Sequence, residues 1–126
     1  MGIGTIITRL FHHPEAQSGL PHWWAQRLTA LALVPLSLWF TYGLVATGAA
    51  DHAALVAWLG RPGPALLLIL FVTTSLYHAH LGLQVVIEDY VHIEWAKHAL
   101  LNWFQVLFAL LAVLAISAAV RIALIG

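Results

Sequence analysis

Long stretches without a formal charge constrain this chain more than any other feature. Twenty-three residues separate Arg27 from Asp51, 26 separate Arg61 from Glu88, and 23 separate Lys97 from Arg121. A hydrocarbon core roughly 30 Å thick needs about 20 apolar residues in a helix rising about 1.5 Å per residue. Each window is long enough. The sequence therefore predicts an all-α integral membrane protein with three transmembrane helices, near residues 24–48, 64–89 and 97–122. A soluble three-helix core would need polar outer faces, and a chain that is 62% hydrophobic and 8% charged scarcely provides them.

Residues 1–23 form an N-terminal segment ahead of the three-helix membrane domain, residues 24–122. They do not resemble a secretory signal, because the first strongly apolar run follows Pro14, Gly19 and Pro21 and no small-residue cleavage site comes after it. A long Arg- and Ser-rich transit leader is missing too, which points to a bacterial inner membrane. Five basic and five acidic residues balance, so nucleic acid is not an expected partner. With no cysteine, the chain ligates no iron–sulfur cluster and forms no disulfide or c-type haem attachment. Arg9, Arg27 and Lys97 lie on one side of the membrane and Arg61 and Arg121 on the other, which favours a cytoplasmic N-terminus. Trp23, Trp24, Trp95 and His12, His13, His22, His92 and His98 crowd that same side, as an interfacial belt would. Between the first two spans, "TGAADHAALVAWLGRPGP" suggests a short interfacial helix anchored by Trp58 before the Gly/Pro restart.

The stretch "YHAHLGLQVVIEDYVH", residues 77–92, concentrates ionisable groups in and below the second span. At about 100° per residue, His78, Gly82, Val85 and Asp89 share one stripe, and His80 points some 200° from His78. An imidazole near mid-bilayer is costly without a partner. His78 has three fates open: an interhelical hydrogen bond, a place in a proton relay, or ligation of a metal or haem iron. Gly82, one turn away on the same face, leaves room for something flat and large, though it also permits close helix packing. The first and third spans have no histidine in their interiors, His52 being in a loop and His98 at a helix end, so no second axial imidazole exists at the depth of His78. A bis-histidine haem would thus need its other axial ligand from a second polypeptide. His80, with Gln84 one turn on, reads as a helix–helix contact.

Asp89 and Tyr90 end the second span about 16 Å below His78 at the standard rise. Two readings stand: solvated interfacial side chains, or a quinone-head site in which a phenol donates to a carbonyl and an acid relays protons. Arg27, one turn into the first window, needs an anion; a haem propionate or Asp89 would serve, or it snorkels to the headgroups.

The pattern H-x3-G-x6-D-Y at His78, Gly82, Asp89 and Tyr90, the continuation "DYVH", and R-x-T-A at Arg27, Thr29 and Ala30 resemble the smaller membrane-anchor subunits of succinate dehydrogenase, respiratory complex II. The resemblance spans about residues 22–122. It implies half of a haem-binding bundle shared with the larger cytochrome b anchor subunit, in a heterotetramer with iron–sulfur and flavoprotein subunits. It further implies that His78 is one axial ligand of haem b and that Gly82 and Arg27 lie beside the haem. Tyr90, next to Asp89, would bind ubiquinone. FAD and iron–sulfur clusters would reside in the partners. Other readings remain: a b-type cytochrome anchor of fumarate reductase or a hydrogenase, a proton-relay transporter subunit using His78 and Asp89, or an anchor without cofactor.

Overall fold

A computed structural model describes residues 2–11, 20–48 and 50–125, with the side chains of residues 8–11 outside that description. It contains five helices and, among the described residues, no strand: α1 (Ile3–Phe11), α2 (Leu20–Thr47), α3 (His52–Leu59), α4 (Pro62–Tyr90) and α5 (Glu94–Ile125). The helices α2, α4 and α5 are each long and apolar enough to cross a membrane. α5 overruns its charge-free window at both ends, α2 at its start only and α4 at its end only. A hydropathy window marks the part that lipid would cover, whereas backbone hydrogen bonding continues through the interfacial turns. Two elements lie where the sequence reading places only an N-terminal segment: α1, and the first turn of α2, which accepts Pro21 because the first-turn N–H groups have no helical partner anyway.

Local chemistry sets the breaks. Gly48 ends α2 in the left-handed region (φ 73°), where a side chain would be strained. The Asp51 carboxylate then caps α3 by accepting from the Ala54 N–H at 3.2 Å. Gly60 closes α3 with its backbone against the Ile122 carbonyl of α5, where an added Cβ would stand at 3.2 Å. Arg61 is the N-cap of α4 and Pro62 follows in its first turn, where its missing N–H costs nothing. At the other end Val91 turns extended (φ −96°, ψ 111°), and Glu94 opens α5 with a carboxylate at the positive end of the helix dipole.

The central element is α4, which packs against α2 on one side and α5 on the other, with α3 touching all three spans near the loop end. On α2, His22, Gln26, Thr29, Leu33, Leu36, Phe40 and Gly43 follow a strict 4-3 spacing and are all buried or half-buried. That 3.5-residue repeat is the seam of an antiparallel helix pair. Phe40 meets Phe71 of α4 with ring centroids 5.2 Å apart, and both Trp39 (5.3 Å) and Phe40 (6.3 Å) touch the Trp58 indole of α3. The outer faces stay bare: Leu31, Val34, Leu38 and Val45 of α2 and Leu110, Val113 and Leu114 of α5 are exposed. So much uncovered aliphatic surface is stable only against lipid or another apolar chain.

Gly43 has a specific reason to be glycine, because a methyl group there would overlap the Trp58 ring. Trp39 and Phe40 also pack against that ring. Gly43→Ala should therefore destabilise the α2–α3 corner by about 1–3 kcal/mol. A lowered thermal midpoint of the detergent-solubilised protein would register it; an unchanged midpoint would mean that Trp58 swings away freely.

Candidate functional site

His78 lies near the middle of α4 and is half-buried on its α2-facing side. Its Nδ1 is 2.8 Å from the Thr29 hydroxyl, which is in turn 2.7 Å from the Ala25 carbonyl oxygen and 3.0 Å from that of Gln26. The first of the three fates open to this histidine, an interhelical hydrogen bond, is realised. It occupies only one ring nitrogen, and Nε2 makes no hydrogen bond to any described residue. One turn along, a Cβ built on Gly82 would find Gln26 Nε2 at 3.9 Å and no other atom closer. Nothing within this chain requires glycine there. The Gln26 amide of α2 stands at van der Waals distance from that position, so the surface over Gly82 is covered by α2 rather than vacant. An imidazole nitrogen without a partner among the described residues is the single donor that an axial haem position would need.

His80 points the other way, as the helical angle predicts, with its ring edge-on to Phe108 of α5 at 5.7 Å. Gln84, on the same α5-facing side and buried, donates from Nε2 to Glu88 Oε1 at 3.2 Å. This part of residues 77–92 is helix packing. Among the described residues no group of three or more His, Cys, Asp or Glu side chains could hold a metal ion. A haem iron differs from such an ion, because the porphyrin supplies four ligands and each axial position needs a single residue.

At the lower end of α4, Asp89 is exposed and Tyr90 is 78% exposed. Neither side chain bonds within the described part of the chain, so both are available to a ligand or a neighbouring subunit. Arg27 sits one residue off the α2 seam, which turns it outward. Its guanidinium lies over the Trp23 ring, 5.3 Å from the centroid, held by a cation–π contact one turn back. It is not paired with Asp89: the ion pairs among the described residues join Glu94 to Lys97 (4.0 Å) and to His98 (3.5 Å). Among the described residues no carboxylate pairs with Arg27.

A family model described as "Succinate dehydrogenase/Fumarate reductase transmembrane subunit" matches residues 7–118. The chain belongs to this family. Among curated relatives, the succinate dehydrogenase hydrophobic membrane anchor subunit of Rickettsia bellii is 42% identical over 106 residues, covering 84% of each chain. The subunit of the same name from Paracoccus denitrificans is 33% identical over 94 residues, 75% of this chain and 71% of its own. The succinate dehydrogenase membrane anchor subunit of Reclinomonas americana is 32% identical over 92 residues, 71% of this chain and 77% of its own. No solved structure gives a significant match.

Within this membrane-anchor family member, the spans bring His78, Gly82 and the α2 seam together; Arg27, between Gln26 and Thr29, is at their height but turned off the seam, while Asp89 and Tyr90 stand apart at the end of α4. Two participants escaped the motif reading. Thr29 was visible only as a letter of R-x-T-A, and His22 only as one of several interfacial histidines. In the fold His22 is 9% exposed on the α2 seam, and its Nε2 has no hydrogen-bond partner among the described residues. The 22–26–29 spacing, continued to residue 43, was the signal that could have marked both. His12 and His13, of the same interfacial set, lie outside the described residues.

Proposed function

We propose that this chain is the smaller membrane-anchor subunit of a bacterial succinate:ubiquinone oxidoreductase. It docks flavoprotein and iron–sulfur subunits to the inner membrane, provides one axial ligand to a haem b shared with the larger anchor subunit, and forms part of the ubiquinone site. The observation that carries the haem reading is a mid-span histidine with one ring nitrogen held by Thr29 and the other, Nε2, without a partner among the described residues. An imidazole nitrogen left unsatisfied in hydrocarbon is unfavourable by roughly 2–7 kcal/mol, which an iron–nitrogen bond removes. The family's description covers fumarate reductase too; the curated relatives carry succinate dehydrogenase names, which favours the succinate-oxidising direction.

The residues divide the work. His78 would offer the lone pair, Gly82 adds no bulk one turn along the same helix, and Arg27, two residues from Thr29 and turned off the seam, would pair with a propionate. When bound, the haem supplies a one-electron redox centre inside the bilayer. Tyr90 donates its phenolic hydrogen to a quinone carbonyl, polarising it toward reduction. Asp89 hands on protons from the aqueous side. Two electrons from succinate and two protons convert ubiquinone to ubiquinol at this surface, the succinate itself being oxidised to fumarate in the flavoprotein. The N-terminus is cytoplasmic in this arrangement, so that Tyr90 and the docking surface share one side.

Purification of the native complex tests this directly. This chain should co-purify with a flavoprotein, a cysteine-rich iron–sulfur protein and a second hydrophobic subunit, and show the dithionite-reduced bands of haem b. A colourless preparation, or one without the flavoprotein, would contradict it.

A further inference from the structure

We propose that Thr29 is a positioning residue for His78: it holds the imidazole as the Nδ1–H tautomer, so that the nitrogen turned away from the threonine hydroxyl is a bare electron pair. The proposal rests on the reading of His78 as an axial haem ligand and adds what makes the ring competent for it.

The hydrogen-bond arithmetic at the Thr29 hydroxyl leads there. Oγ1 has three polar neighbours: the Ala25 carbonyl oxygen at 2.7 Å, the Gln26 carbonyl oxygen at 3.0 Å and His78 Nδ1 at 2.8 Å. The hydroxyl owns one proton. If it pointed at Nδ1, the threonine oxygen would face two carbonyl oxygens with no hydrogen between them. Carbonyls only accept, so the proton goes to the helix backbone, in the back-bond common for threonine within helices. The oxygen can then only accept from the ring, and Nδ1 must carry the hydrogen. A neutral imidazole has a single N–H, which leaves Nε2 unprotonated. Nδ1 and Nε2 lie on opposite flanks of the ring, so the lone pair faces away from the Thr29 hydroxyl.

Geometry reinforces the tautomer. The back-bond anchors Oγ1 to the α2 backbone, and the β-branch of threonine restricts its rotation further. The imidazole is thus tied to a rigid neighbour, as ligating histidines are when their other nitrogen is held; losing such a contact typically weakens metal binding about 10- to 100-fold. An acceptor on Nδ1–H also makes the ring a better donor, which favours ferric over ferrous iron and lowers the haem potential.

The test uses the whole purified complex, with haem b per flavin, the haem midpoint potential and the ferric electron paramagnetic resonance signal as readouts. Thr29→Val keeps the shape and removes the acceptor. Haem retention should weaken by about 10- to 100-fold, and the haem that stays should have a raised potential and a shifted low-spin signal. Thr29→Ser keeps the hydroxyl and should restore both. Wild-type retention and potential in Thr29→Val would overturn the proposal, as would Thr29→Ser behaving like Thr29→Val. His78→Ala, run alongside, separates the levels: haem unaffected by that substitution overturns the ligand reading itself. Should Thr29→Val not assemble, Thr29→Ala and Thr29→Ser are compared, and equal potentials in the two would overturn the role of the hydroxyl.

Discussion

Replacing His78 by alanine should abolish the six-coordinate haem b spectrum of the purified complex, leaving it haem-free or with shifted, high-spin bands. The size of the effect follows from depth. At mid-span no water is at hand to take the vacated position, and among the described residues only His80 is another histidine near that height. His80, two residues on, cannot substitute, because its ring is committed to the α5 side against Phe108. The helix itself should survive, since alanine is the best helix former and only the Thr29 contact is lost within the chain. Unchanged absorption bands in an assembled His78→Ala complex would transfer the ligand role to another residue.

Substituting Tyr90 by phenylalanine should separate two activities that are coupled in the native complex. Succinate oxidation measured with a soluble dye draws electrons before the quinone and should persist. Quinone reduction should fall about tenfold, the equivalent of losing roughly 1.4 kcal/mol of hydrogen bonding in the transition state. The substitution removes one oxygen from a side chain that is 78% exposed and has no partner within the chain, so it has little to disturb in the fold. Equal loss of both activities would place Tyr90 in subunit docking, and loss of neither would remove it from the quinone site.

Much of this architecture is legible in one dimension because lipid imposes a simple code. The three spans follow from the gaps between Arg27 and Asp51, Arg61 and Glu88, and Lys97 and Arg121. The opposite directions of His78 and His80 follow from the helical angle alone. The short helix before the second span is readable from Asp51, Gly60 and the prolines around Arg61. What a single sequence withholds is register between helices. Thr29 and His78 are 49 positions apart, and nothing in either local pattern says that they stand at the same height. The same holds for Gly43 and Trp58, whose pairing exists only once α3 has folded back over α2. The pairing of Arg27 with Asp89, plausible from their shared side of the membrane, fails for the same reason. Position 27 is turned off the seam, and the guanidinium finds Trp23 on its own helix first.

Burial of His22 also lay beyond the reach of hydropathy. Its position before the charge-free window suggested a solvated interfacial ring, but α2 begins at Leu20 and carries it onto the seam. The orientation of a side chain at a helix start depends on where the helix starts, and that boundary is what composition defines least well.

The most direct measurement is an experimental density map of the complete complex, inspected at the ring of His78. The expected result is a haem iron within coordination distance of Nε2, Nδ1 still on the Thr29 hydroxyl, and an imidazole from another subunit on the opposite face of the iron. Lipid or aliphatic side chains filling the space next to Nε2 would contradict the account.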